Sequence, residues 1–257
     1  MGKERFGGKA GGGGPGGVLQ TLEALFSGIA SSDHKKRDPS ERKLRDLCYR
    51  CAGPGNENLR RKVSERLAEA AASGRNREVR RYVLRLIERI GGAEVVGKLA
   101  GVLRDPDPEL RERARRALQS NPAPGAAQAL LRELSVAKDP AWKIALANAL
   151  GERREKRAVG ALRRLVLQGQ GAVQEAACAA LGKIGGVEAC NALLEFRKRC
   201  PKEILPSVTE ACLRAAESVE ESGDKETARS IYRVLSRKTE ALHVRTAALR
   251  ALRRLER

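Results

Sequence analysis

Seven apolar anchors recur along this chain at nearly constant intervals. Leu44, Val79, Leu110, Trp142, Val173, Val208 and Val244 are separated by 35, 31, 32, 31, 35 and 36 residues. Four residues beyond each anchor stands Cys48, Val83, Ala114, Leu146, Ala177, Cys212 or Ala248. Seven and eight beyond come pairs such as Leu86 with Ile87, Ala149 with Leu150, and Ala180 with Leu181. These offsets fall on one face of an α-helix, so seven first helices are predicted to share one buried stripe. Aromatics make up only 3% of a chain that is 41% hydrophobic, which leaves little of what strands favour. The apolar mass also argues against disorder, and no apolar run is long enough to cross a membrane.

A second helix is predicted after each of the first six. Leu59, Val63 and Leu67 mark one, Val95, Leu99 and Leu103 the next, and Leu130 with Leu134 the third. Leu162 with Val166, Ala189 with Leu193, and Ile231 with Leu235 mark the rest. Gly91-Gly92 and Gly185-Gly186 are expected to end helices in the left-handed region. Asp107 and Asp139 precede Pro108 and Pro140, which suits N-caps followed by a first-turn proline. One helix pair cannot bury its own stripe, whereas stacked pairs can.

The stretch from Ala176 to Ala189, AACAALGKIGGVEA, resembles the HEAT repeat in its PBS-lyase HEAT-like form. Asp-Pro ahead of the pair, and Leu110-Arg111 or Val244-Arg245 at the anchor, fit the same pattern. The resemblance implies an all-α fold of the ARM type. It would be a right-handed α-α superhelix, an α-solenoid of about six helix pairs plus a terminal helix. It covers residues 39–257. Residues 1–17 read as a Gly-rich flexible tail, and 18–38 as a short amphipathic helix with a charged linker from Asp33 to Asp38. That helix, marked by Val18, Leu22, Leu25 and Ile29, either caps the first repeat or docks a partner.

Little in the chain suggests chemistry. Cys48 and Cys51 form a CxxC, but they fall on the buried stripe, where cysteine packs as a small hydrophobe. Zinc would need two further ligands, and His34 is the sole histidine nearby in sequence. Neither His34 nor His243 has partners spaced for a catalytic triad. Trp142, the sole tryptophan, reads as core, with base stacking as the other reading. The resemblance also takes in phycobilin lyases and alkylpurine DNA glycosylases. The segment from Trp142 to Leu150 lacks the acidic residue that a glycosylase would need. No catalytic, cofactor or metal residues are therefore assigned, and a non-enzyme is expected. A glycine tract in place of a signal core, with six cysteines, points to a reducing, cytoplasmic setting.

Charge is the remaining signal. The chain carries a formal +19. Arg45, Arg80, Arg111, Lys143 and Arg245 directly follow their anchors and are expected to bond acidic groups of the same or next repeat. On the second helices, positions opposite the buried stripe hold Arg61, Arg104, Arg132, Arg164, Lys198, Arg229 and Arg233 against two carboxylates, Glu65 and Glu195. The resemblance places second helices on the concave side, so a basic concave track is expected there. Such a track would raise encounter with an anionic partner. The expected function is a scaffold that binds an acidic protein segment. The alternative is a solenoid that follows the backbone of duplex nucleic acid. No membrane contact is expected.

Overall fold

The computed structural model describes residues 15–256. Most of the glycine tract lies outside them. Fourteen α-helices and no strand occur among the described residues. They are α1 (Pro15–Ile29), α2 (His34–Cys51), α3 (Glu57–Ala72), α4 (Arg77–Ile90), α5 (Val96–Val102), α6 (Pro108–Ser120) and α7 (Pro124–Val136). There follow α8 (Pro140–Glu152), α9 (Val159–Gln168), α10 (Ala172–Ile184), α11 (Gly186–Arg197), α12 (Leu205–Glu221), α13 (Lys225–Leu235) and α14 (Leu242–Leu255). The even-numbered helices are the seven first helices; α3 to α13 are the second helices. Each helix packs on its neighbours in sequence or on the next helix of its own row, the contact pattern of an α-solenoid.

The anchors occupy the core between the rows. All are buried except Trp142, which is half-buried against it. α1 adds Leu22, Leu25, Phe26 and Ile29 to the same core by packing on α2. Its Glu23 is bonded by Arg66 of α3 and, at 2.8 Å, by Arg75. α2 starts earlier than the linker reading expects. Asp33 accepts the Lys35 backbone N–H and caps it, so residues 34–38 are helical and Pro39 lies inside the helix.

Spacing varies along the rows. α8, α10 and α12 stack most closely on one another. The cause is local. A Cβ on Gly151 would stand 2.8 Å from the Ala180 Cα, and one on Gly182 would stand 3.0 Å from the Ala211 Cα. Backbone therefore meets backbone along α8, α10 and α12.

The turns use their residues in different ways. Asp107 accepts the Glu109 N–H, and Asp139 accepts those of Ala141 and Trp142, so both are N-caps. Gly185 and Gly186 have φ of 67° and 81°, in the region that glycine alone enters readily. Gly91 and Gly92 do not, with φ of −69° and −109°. Space, not handedness, requires Gly91: a Cβ there would sit 2.8 Å from the Ile87 carbonyl oxygen and 2.9 Å from Val95 Cγ2.

Charged side chains fasten one repeat to the next. Arg60 of α3 donates to the Ile90 carbonyl at 2.6 Å and to Glu94 at 3.0 Å. Arg153 donates to the carbonyls of Leu118 and Gln119, both at 2.8 Å, at the end of α6. Arg163 meets Glu195 at 2.8 Å, Arg254 meets Glu220 at 2.7 Å, and Arg197 meets Glu240. Burial pushes the Glu94 carboxyl up, but hydrogen bonds from Ser64 and the backbone N–H groups of Glu94 and Gly92, with the charge of Arg60, hold it below the usual carboxylate range.

Three outcomes follow for stability, two from packing and one from charge. Gly182→Val should destabilise the chain by about 1–3 kcal/mol through overpacking. Gly160→Ala, with nothing within 4 Å of its Cβ, should stabilise by about 0.5–1 kcal/mol. Thermal melts by circular dichroism check both. Because the folded Glu94 pKa is depressed, its contribution is present above the unfolded pKa. It is lost as pH falls from about 5 through the lowered value. Glu94→Gln should lower stability at neutral pH and flatten that acid-side decline, read by urea unfolding across pH.

Candidate functional site

The seven cations of the predicted track all lie on or at the ends of the odd-numbered helices, but the structure uses them differently. Arg61 on α3, Arg132 on α7, Arg164 on α9, Lys198 at the end of α11 and Arg233 on α13 are exposed. Among the described residues these five form no ion pair. Arg104 is engaged, with its Nε 3.0 Å from Glu133. Arg229 is half-buried, pairs with Glu226, and donates to the Leu255 carbonyl at 3.2 Å. Of the two acidic residues on the track, Glu195 is taken up by Arg163 and Arg199. The exposed apolar residues Val136 (55%) and Leu167 (43%) lie one turn from Arg132 and Arg164.

The even-numbered row carries the hollows. One of about 180 Å³ lies between α2 and α4, lined by Arg45, Cys48, Tyr49, Leu86, Arg89 and Ile90. A smaller one beside it, of about 100 Å³, is walled by Glu41, Arg81, Tyr82, Arg85 and Arg113. Toward the C-terminus the linings of this row are mixed in charge. A hollow of about 330 Å³ there is bordered by Glu175, Glu210 and Arg214 around Asn148, Ala176 and Ala179. Another, of about 320 Å³, sets Glu152, Glu217 and Glu221 against Arg154, Lys183 and Arg214. Sequence reasoning missed Tyr49 and Arg89. The available signal was an aromatic residue five places after its anchor, off the buried stripe.

The groups screened for chemistry are dispersed. No three His, Cys, Asp or Glu side chains among the described residues are placed to hold a metal ion. His34 is exposed on α2 and contacts Arg37 and Asp38, and His243 is exposed on α14. Trp142 donates its indole N–H to Glu133 at 3.1 Å, with the Arg111 guanidinium 5.7 Å from its ring centroid. No helix among the described residues is long and apolar enough to cross a membrane.

A family model described as HEAT repeats matches residues 64–136 and 127–214, more than half of the chain. The chain belongs to the HEAT-repeat family. The chain is also similar to solved structures at low identity. An engineered protein is 19% identical, with 94% of this chain and 69% of that one aligned at a TM-score of 0.49. Kap121p bound to Ste12p is 17% identical over 93% of this chain but 27% of its own, at 0.48. The CpcE–CpcF complex of phycocyanin lyase from Nostoc sp. PCC7120 is 18% identical over 99% and 100%, at 0.44. Comparison with curated proteins finds no match.

Within this HEAT stack the cations after the anchors do not form a uniform ladder. Arg80 pairs with Asp105 at the entry to the next repeat and donates to the Ala71 carbonyl at 2.8 Å. Arg111 reaches the Asp105 carbonyl at 3.3 Å, and Arg45 lies 3.9 Å from its neighbour Asp46. Lys143 and Arg245 form no ion pair among the described residues.

All six cysteines are free thiols. Cys48 and Cys51 both pack in the HEAT core, as the stripe implies. Burial pushes the Cys48, Cys178, Cys190 and Cys212 thiols up to about 12. Cys200 is half-buried and raised less far. The folded protein at pH 8 should therefore show Cys200 as its fastest thiol toward a disulfide reagent, and all six should react in denaturant. A Cys200→Ser variant should lose that fastest phase.

Proposed function

We propose that this chain is a non-enzymatic protein-binding scaffold whose odd-numbered row grips an acidic segment of a partner. One observation carries the reading. Arg61, Arg132, Arg164, Lys198 and Arg233 are exposed and unpaired among the described residues, while most inter-repeat arginines are held in internal contacts. An array of free cations along one row focuses field lines toward an anionic partner, and guanidinium groups hold carboxylates in bidentate pairs.

Net charge alone would equally suit a phosphate backbone. Val136 and Leu167 favour protein. Each lies one turn from a track arginine, so a partner offering carboxylates beside apolar side chains gains on both counts. A chain of phosphates and sugars gains from the cations alone. The lyase and glycosylase readings have no residue set here to support them.

The test uses a triple variant, Arg132→Glu, Arg164→Glu and Arg233→Glu. The wild-type chain, cross-linked in its host, is expected to retain a protein partner with an acidic segment. The variant, with unchanged helicity, is expected to lose it. Generic duplex DNA should bind only at micromolar or weaker affinity at physiological salt. Tight duplex binding with a log–log salt slope near −0.9 per phosphate contact would transfer the track to nucleic acid. Retention of the partner by the triple variant would remove the track from the reading.

A further inference from the structure

We infer that the hollow between α2 and α4 is a separate docking site for a short acidic peptide, which inserts one apolar side chain between two arginines. The site is on the even-numbered row and does not depend on the odd-numbered track.

The floor comes from the buried residues Cys48, Leu86 and Ile90. One wall is Tyr49, 58% exposed in a chain with only seven aromatic residues, Phe, Tyr and Trp together. Its ring is held in place: Arg89 donates to its hydroxyl at 2.5 Å, and the guanidinium carbon sits 5.8 Å from the ring centroid. A large apolar face kept open in this way contrasts with Tyr82 of α4, which is buried and bonds the Glu41 carbonyl at 2.7 Å.

The rim is cationic and under-neutralised. Arg89 lines the hollow, and Arg85, one turn earlier on the same helix, lines the smaller hollow beside it, a like-charge spacing that is unfavourable in isolation. Neither forms an ion pair among the described residues. Arg85 instead lies over the Tyr82 ring at 5.0 Å. Arg45 on α2 meets only the exposed Asp46, at 3.9 Å. The other nearby anions are Glu41 and Glu88, and the field of Glu88 acts on Arg116 of α6. A bound carboxylate relieves the repulsion between Arg85 and Arg89, and one on each side of the hollow engages Arg45 and Arg89.

The lining also selects the class of ligand. Its strongly polar groups are the Arg45 and Arg89 guanidiniums and the Tyr49 hydroxyl, all cationic heads or rim atoms. The Cys48 thiol, a weak donor and acceptor, is the one polar side-chain group on the floor, so the edge of a nucleobase gains little there, whereas an aliphatic or aromatic side chain packs against Leu86 and Ile90. The hollow of about 180 Å³ fits one such side chain.

The experiment measures fluorescence anisotropy of a labelled short peptide of Asp and Glu around one central Leu, against the full chain. Wild type should bind, and a peptide with that Leu replaced by Asp should bind about tenfold or more weakly. Tyr49→Ala and Arg89→Glu alter exposed side chains; each should lose about tenfold or more, with helicity unchanged. The triple Glu variant of the odd-numbered row should retain most of the binding. Equal binding of the two peptides, or no effect of Tyr49→Ala and Arg89→Glu, would overturn the site. Loss only in the odd-row variant would assign the peptide to the other row. Oligothymidylate is the second probe: binding that Tyr49→Ala abolishes, with no peptide binding, would replace the occupant.

Discussion

The approach of α8, α10 and α12 to backbone contact is what the rest of the stack is built around. Gly151 and Gly182 each stand nine residues after their anchors, Trp142 and Val173, and face the next helix's alanines, Ala180 and Ala211. Removing the Cβ atoms lets helices touch through Cα and carbonyl groups, where dispersion is densest. The hollows described above lie along this same even-numbered row, between α2 and α4 and across α8, α10 and α12.

Arginine serves two purposes in this setting. Across the repeat boundaries it donates to carbonyls left open at helix ends, as Arg60 does at Ile90 and Arg153 at Leu118 and Gln119. Its planar fork reaches several acceptors at once, which lysine cannot do. Elsewhere the same residue stands free on the odd-numbered row or ringed around Tyr49. A high arginine content thus combines internal fastening with external recognition, and net charge alone does not separate them.

The helix count and the rows were legible in the sequence because burial imposes offsets of four, seven and eight within each repeat. The caps at Asp107 and Asp139 were legible because a cap is local chemistry. What escaped was anything decided between repeats. The Gly91-Gly92 pair looks like Gly185-Gly186 in sequence, yet its requirement is the room beside Ile87 and Val95. The start of α2 was hidden inside a run of charges, where Asp33 is one acidic residue among several. The close approach of α8, α10 and α12 also went unread, although Ala-Leu-Gly triplets end at Gly151 and Gly182. For the candidate sites, the odd-row cations could be found by helical phase. Whether each was free or engaged, as with Arg104 and Glu133, depended on partners about one repeat away.

The glycines on α8 and α10 have a further consequence. With no Cβ at Gly151 and Gly182, the alanines Ala180 and Ala211 rest against bare main chain. A bulkier residue at any of these four places has no side chain to displace, so whole helices must part to admit it.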